Sequence, residues 1–138
     1  MTNQQFRGTG VALVTPFTAD GSIDHAALEK IVTHTIRGGV DFLVALGTTA
    51  ETPTLSAAEK LEVLNAIIRI NNGQLPVVCG IGGNNTAETL EQLKTLDIRG
   101  VDAILSVTPY YNRPSQEGMY QHFKAIANNT RKPIILYN

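Results

Sequence analysis

Residues 39–82 read GVDFLVALGTTAETPTLSAAEKLEVLNAIIRINNGQLPVVCGIG. Two apolar runs, residues 40–46 and 75–79, bracket a longer segment of different period. The runs show little apolar–polar alternation, which is the pattern of strands buried on both faces, as in a parallel sheet. Between them Leu61, Leu64 and Ile68 recur at helical spacing. Ser56 with Glu59 forms a capping box at the start of that helix, and Asn71-Asn72-Gly73 ends it. Strand, helix and strand in this order make a right-handed crossover between parallel strands.

The same alternation runs outward in both directions. Apolar runs recur at residues 11–15, 101–107 and 133–137. Leu28, Ile31, Val32, Thr35 and Ile36 mark a helix that Asp24 opens and Gly38-Gly39 closes. Leu90 and Leu93 follow Asn85 and Glu88, and Met119, Phe123 and Ile126 follow Ser115. The strands begin at Val11, Val40, Val77, Val101 and Ile134, in steps of 29, 37, 24 and 33 residues, one βα unit each. Gly39-Val40-Asp41 and Gly100-Val101-Asp102 echo each other 61 residues apart. Two folds fit this order: an open doubly wound sheet, or part of a (β/α)₈ barrel. A barrel takes ~250 residues, and the chain has 138. It also ends on a strand, where an open sheet closes with a helix. The expectation is an α/β fold of the TIM (β/α)₈ barrel family, comprising the first four βα units plus strand 5. Residues 1–138 would form the N-terminal half of a single barrel domain, cut after its fifth strand, with no second domain.

Composition narrows the function. Lys plus Arg number 11 and Asp plus Glu 12, a net charge of -1, which gives no electrostatic reason for nucleic acid or an anionic membrane as partner. Hydrophobic residues at 43% argue for a core rather than disorder. The single cysteine, Cys79, excludes an intrachain disulfide and a thiolate metal cluster and reads as a small core hydrophobe. His25, His34 and His122 fall in helices without ligand spacing, so no metal is expected. The longest apolar run, residues 42–46, is far short of a membrane helix, and residues 1–10 lack the apolar core of a signal peptide. A reducing cytosol is the default compartment.

In a parallel α/β fold the chemistry sits at the carboxyl ends of the strands. There the sequence places Thr15-Pro16-Phe17, Gly47-Thr48-Thr49-Ala50-Glu51, Gly80-Ile81-Gly82-Gly83-Asn84-Asn85, Thr108-Pro109-Tyr110-Tyr111-Asn112 and Tyr137-Asn138. This face is rich in hydroxyls, with Glu51 as its one nearby carboxylate. Gly47-Thr48-Thr49 can dock a small carboxylate or simply cap a helix. The glycines at 80–83 fit neither nucleotide-binding pattern and read as a tight turn allowing close helix packing. Tyr110 and Tyr111, adjacent in an extended segment, would point opposite ways, one to the site and one to a subunit interface, or else cover the barrel rim. Tyr137, ending a buried strand, needs a partner for its hydroxyl: a proton relay or a structural bond.

These loops, together with residues 8–17 and the run Tyr110-Tyr111-Asn112-Arg113-Pro114, make the chain resemble the dihydrodipicolinate synthase family over essentially its whole length. The resemblance implies a barrel, usually a homotetramer built as a dimer of dimers. It implies condensation of pyruvate with aspartate semialdehyde in diaminopimelate and lysine biosynthesis. A barrel lysine forms a Schiff base with pyruvate, without metal or organic cofactor. It assigns Thr49, with Thr48, to the pyruvate carboxylate. Tyr137, Thr48 and Tyr111 become a proton relay, Tyr111 reaching across the dimer interface. Asn84, Glu88 and Tyr110 match an allosteric lysine site, where Lys60 replaces a residue that is often His or Glu. Many relatives carry Gly in place of Ala50, a methyl expected to be accommodated. The family's nucleophilic lysine lies on strand 6, beyond Asn138, so the segment alone should be inactive. Two other readings fit less well: a related pyruvate aldolase such as N-acetylneuraminate lyase, and a non-catalytic open-sheet α/β binding module.

Overall fold

Gly10–Ala12 (β1), Phe42–Ala45 (β2), Val77–Gly80 (β3), Ala103–Val107 (β4) and Ile134–Tyr137 (β5) pair side by side in sequence order, every pair parallel. This is seen in a computed structural model that describes residues 4–138. The order decides between the two folds. A flavodoxin-like sheet would place β1 between β2 and β3, whereas the observed order is that of an unrolled barrel, so the open-sheet binding module is set aside. The chain is an open half-barrel of parallel strands with helices His25–Arg37 (α1), Ala57–Asn71 (α2), Thr86–Thr95 (α3) and Gln116–Asn128 (α4) in the crossovers. No helix among the described residues is long and apolar enough to cross a membrane.

The 61-residue echo has a physical cause. Asp41 takes the Thr9 N–H on its carboxylate at 2.6 Å and gives its own amide to the Thr9 carbonyl at 2.9 Å. Asp102 does the same with Val77, at 2.8 and 2.7 Å. Each Asp therefore stitches the amino end of its strand to the preceding one. Gly39 and Gly100 make the turns before them at φ 78 and 79°, where L side chains are strained.

The four helix starts are capped as expected. Asp24 accepts from the Ala27 N–H, Ser56 and Glu59 bond reciprocally, Asn85 accepts from Ala87 and Glu88, and Ser115 from Gly118. The α2 face differs from its expected stripe. Val63, Leu64, Ala66 and Ile67 are buried while Leu61 and Ile68 sit at the margins, because α2 packs on both α1 and the sheet. The strands divide their side chains by alternation. Leu43, Ala45, Val77, Cys79 and Ile104 meet the helices. Val44, Val78 and Ala103 form the opposite face with Phe6, Phe42, Leu105 and Ile135. Edge strand β5 is less covered than the interior strands, with Leu136 62% exposed.

His122 is buried in the layer between α3 and α4. Its Nδ1 shares a hydrogen bond with Thr86 Oγ1 at 2.8 Å, while its Nε2 has no partner. Burial pushes its pKa down from the usual histidine value. The unfolded chain therefore binds the proton more readily than the folded one. Stability should be full above a pH of about 6.5, the free-histidine value, and should fall as pH drops below it toward the depressed folded pKa. Urea midpoints between neutral and mildly acid pH check this. His122→Gln should flatten the dependence, and an equal slope in the variant would assign it to other groups.

Candidate active site

The loop after β2 is bent sharply at both ends, with Leu46 at φ 53° and Glu51 at φ 54°. Both are non-glycine residues in the left-handed region, a conformation the surroundings must impose. Between them Thr48–Ala50 makes a 3₁₀ turn, closed by the Ala50 amide on the Gly47 carbonyl at 3.0 Å. Ala50 is buried and is not among the positive-φ residues, so its methyl is accommodated as expected. The Thr52 hydroxyl lies 3.0 Å from the Leu46 carbonyl and 2.8 Å from that of Gly47, and shares its proton between them. Sequence reasoning passed over Thr52. Its only signal was a hydroxyl residue between a strand exit and a helix cap. Thr52→Val keeps the shape and removes the donor, so it is expected to lose about 1–3 kcal/mol, with Thr52→Ser retaining most of it. Urea unfolding of the three chains measures the difference.

A cavity of about 780 Å³ opens at the carboxyl ends of the strands. Thr48 and Tyr137 line it together with Lys60, Asn84, Glu88 and Tyr110. Residues from β2, β3, β4 and β5 thus converge at one pole, as predicted. Gly80, which ends β3, and Gly82 just after it serve this convergence by backbone approach rather than by helix packing. A Cβ on Gly80 would stand 2.0 Å from the Leu46 oxygen, and one on Gly82 would stand 2.9 Å from the Val107 nitrogen. Gly83, the one beside a helix, has only an ordinary contact with Thr89 at 3.7 Å.

Two expectations need correction. Glu51 is exposed and outside the cavity lining, while Glu88 and Glu91 supply its carboxylates from α3. Thr48 joins the cavity lining, and Thr49 follows it on the same 3₁₀ turn, exposed as Thr48 is and at the edge of that lining. Residues 110–113 are not extended. The Asn112 amide donates to the Tyr110 carbonyl at 2.7 Å, closing a γ-turn around Tyr111, whose φ is 67°. The two rings still part company: Tyr110 lines the cavity, and Tyr111 is 92% exposed. Asn112 was not singled out from the sequence. Its Nδ2 donates to the Asn84 carbonyl at 2.9 Å and its Oδ1 accepts from Asn84 Nδ2 at 3.1 Å.

Cys79 is fully buried and burial pushes its thiol up to about 12, so it is inert packing. Lys30, Lys60, Lys94 and Lys124 lie on α1 to α4, and Lys132 precedes β5. No lysine stands at the carboxyl end of a described strand.

The chain matches the model of the dihydrodipicolinate synthetase family over residues 5–138. It is 54% identical over 138 residues to the 4-hydroxy-tetrahydrodipicolinate synthase of Parabacteroides distasonis, covering 100% of this chain and 46% of that protein. With the synthase of Flavobacterium psychrophilum the identity is 58% over 135 residues, covering 98% and 46%. Among solved structures it resembles the dihydrodipicolinate synthase of Thermotoga maritima, with a TM-score of 0.92 and 42% identity over 97% of this chain and 45% of that one. The pyruvate-complexed, chloride-inhibited dihydrodipicolinate synthase of Acinetobacter baumannii gives 0.90 and 49% over 95% and 45%. The chain spans about half the length of the curated relatives it matches. The family model, the curated relatives and the solved structures agree, and the chain belongs to the dihydrodipicolinate synthetase family.

Proposed function

We propose that this segment carries the carboxylate-binding and proton-relay half of a 4-hydroxy-tetrahydrodipicolinate synthase site, with pyruvate and aspartate semialdehyde as substrates. The observation that carries the reading is the meeting of Thr48, after β2, and Tyr137, at the end of β5, in one cavity at the strand ends. In the reaction an amine adds to the keto carbon of pyruvate, and water leaves as the imine forms. Each step moves a proton, which positioned hydroxyls can carry. Tyr137 gives and takes that proton, and Thr48 links it to Tyr111. The near-complete exposure of Tyr111 suits a ring received by a second copy of the chain. Thr49, next to Thr48 on the same 3₁₀ turn, offers its hydroxyl and backbone amide to the pyruvate carboxylate. The amine comes from a strand outside this segment. The assembled enzyme is a cytoplasmic homotetramer that works without metal or organic cofactor.

The test is a fusion of this chain to the C-terminal half of the Parabacteroides distasonis synthase. Condensation of the two substrates is expected. Tyr137→Phe should lower kcat by about 10²–10⁴-fold, the range of acid–base catalysis, and Thr49→Val should raise the KM for pyruvate. Cleavage of N-acetylneuraminate without condensation would overturn the reading.

The same fusion tests feedback control. Lys60 lines the cavity beside Asn84, Glu88 and Tyr110, and an ammonium there repels the ammonium groups of free lysine. Submillimolar lysine is expected to leave the rate nearly unchanged, with Lys60→Glu increasing sensitivity. Strong inhibition of the unmutated fusion would refute this.

A further inference from the structure

Almost nothing in this chain touches the ring of Tyr111, yet its backbone is held at φ 67°. Aromatic residues rarely adopt positive φ, and they keep it only where neighbouring structure imposes it. Arg113 follows at φ 47°, so two bulky residues of this turn are strained. Asparagine is the residue type that tolerates this region, but Asn112 is not among the positive-φ residues. It does something else. Its side chain makes a two-point clasp on Asn84, a residue 28 positions away in the loop after β3. The backbone carbonyl of Asn84 can only accept, which fixes the Asn112 nitrogen toward it and the oxygen toward Asn84 Nδ2. Two bonds on one planar amide set direction as well as distance. The amide of the same residue closes the γ-turn. Asn112 is therefore tied at its side chain to the β3 loop and at its backbone to Tyr110.

We infer that Asn112, through its paired hydrogen bonds to Asn84, is the positioning residue that imposes the turn at Tyr111 and so sets where the Tyr111 hydroxyl stands. Its consequence for the reaction rests on the reading of Tyr111 as a relay member. Asn84 also lines the cavity, so the clasp connects the cavity wall to a side chain that projects away from it.

Two measurements separate the clasp from that reading. In NMR spectra of the 138-residue chain, a strong amide-to-Hα contact within Tyr111 reports positive φ. It is expected in the unmutated chain and should collapse in Asn112→Ala, which loses both bonds. Asn84→Ala and Asn112→Asp each lose one donor and should fall between. Asn112 is exposed, so the rest of each spectrum should keep its dispersion. Should Asn112→Ala fail to fold, the two single-bond variants carry the same test. In the fusion enzyme Asn112→Ala should lower kcat by about 10–100-fold, the effect of a small misplacement, with the KM for pyruvate unchanged and Asn112→Asp recovering part of the loss. A Tyr111 contact that stays strong in Asn112→Ala, or is weak in the unmutated chain, overturns the clasp whatever the activity. A collapsed contact with unchanged kcat removes Tyr111 from the relay, and with it the clasp's role in the reaction.

Discussion

Gly80→Ala is expected to destabilise the chain by about 3–5 kcal/mol, at the severe end for a single methyl. The added Cβ would lie 2.0 Å from the Leu46 carbonyl oxygen, 2.6 Å from its carbon and 3.0 Å from the Gly47 nitrogen. All three are backbone atoms, so no side-chain rotation relieves the clash. The Leu46 carbonyl cannot retreat freely, because Leu46 is already at φ 53° and its oxygen shares the Thr52 hydroxyl. The strain therefore passes into Gly47 and on to Thr48 and Thr49. Gly47→Ala is the control. A Cβ there meets Val44 at 3.6 Å and Leu105 at 4.0 Å, which is ordinary contact, and its φ of -75° suits any residue. Urea unfolding followed by circular dichroism should show a large loss for Gly80→Ala and a small change for Gly47→Ala. Equal midpoints for Gly80→Ala and the unmutated chain would mean that the Leu46 turn yields, and that the loop is not fixed from below as described. In the fusion enzyme the same substitution should weaken pyruvate binding if the displaced segment carries the carboxylate site proposed for Thr48 and Thr49.

What could be read from residues alone was local. Asp24, Ser56, Asn85 and Ser115 were legible as caps because a cap bonds two or three residues ahead. Thr48, Tyr110 and Tyr137 were legible as neighbours because parallel strands bring all their carboxyl ends to one pole. Pattern alone did not choose between the barrel and the doubly wound sheet. Both have the same βα alternation, and the loop motifs shared with the synthase family tipped the choice before strand order settled it. The rest depends on contacts between distant positions. The crowding of Gly80 is against the exit of a neighbouring strand, and the Asn84–Asn112 clasp spans 28 residues. The γ-turn at Tyr111 opposes local propensity, so propensity pointed to an extended segment there. Glu88 and Glu91 reach the cavity from the first turns of α3, which a survey confined to strand ends does not count.

Incubated with pyruvate and borohydride, the 138-residue chain is expected to gain no covalent adduct. Trapping requires a neutral amine to attack the keto carbon. Water then leaves, and hydride reduces the imine to a secondary amine. Such an amine must be desolvated at the carboxyl end of a barrel strand. Lys30 is exposed on α1. Lys94 lies 4.0 Å from Glu91 on the surface of α3, and Lys124 sits 5.5 Å over the Tyr120 ring on α4. Lys132 precedes β5 and so stands at the amino-terminal pole, opposite the cavity. Lys60 is the one lysine that lines the cavity, but it comes from the α2 wall and shares that space with the carboxylates of Glu88 and Glu91. It stands on a helix and not at the end of a strand. The fusion supplies the missing strands, and there a single adduct is expected, mapped by mass spectrometry to its C-terminal half. An adduct on the short chain at Lys60 would make that residue the nucleophile and would overturn both its assignment as a repulsive group toward lysine and the division of labour between the two halves of the barrel.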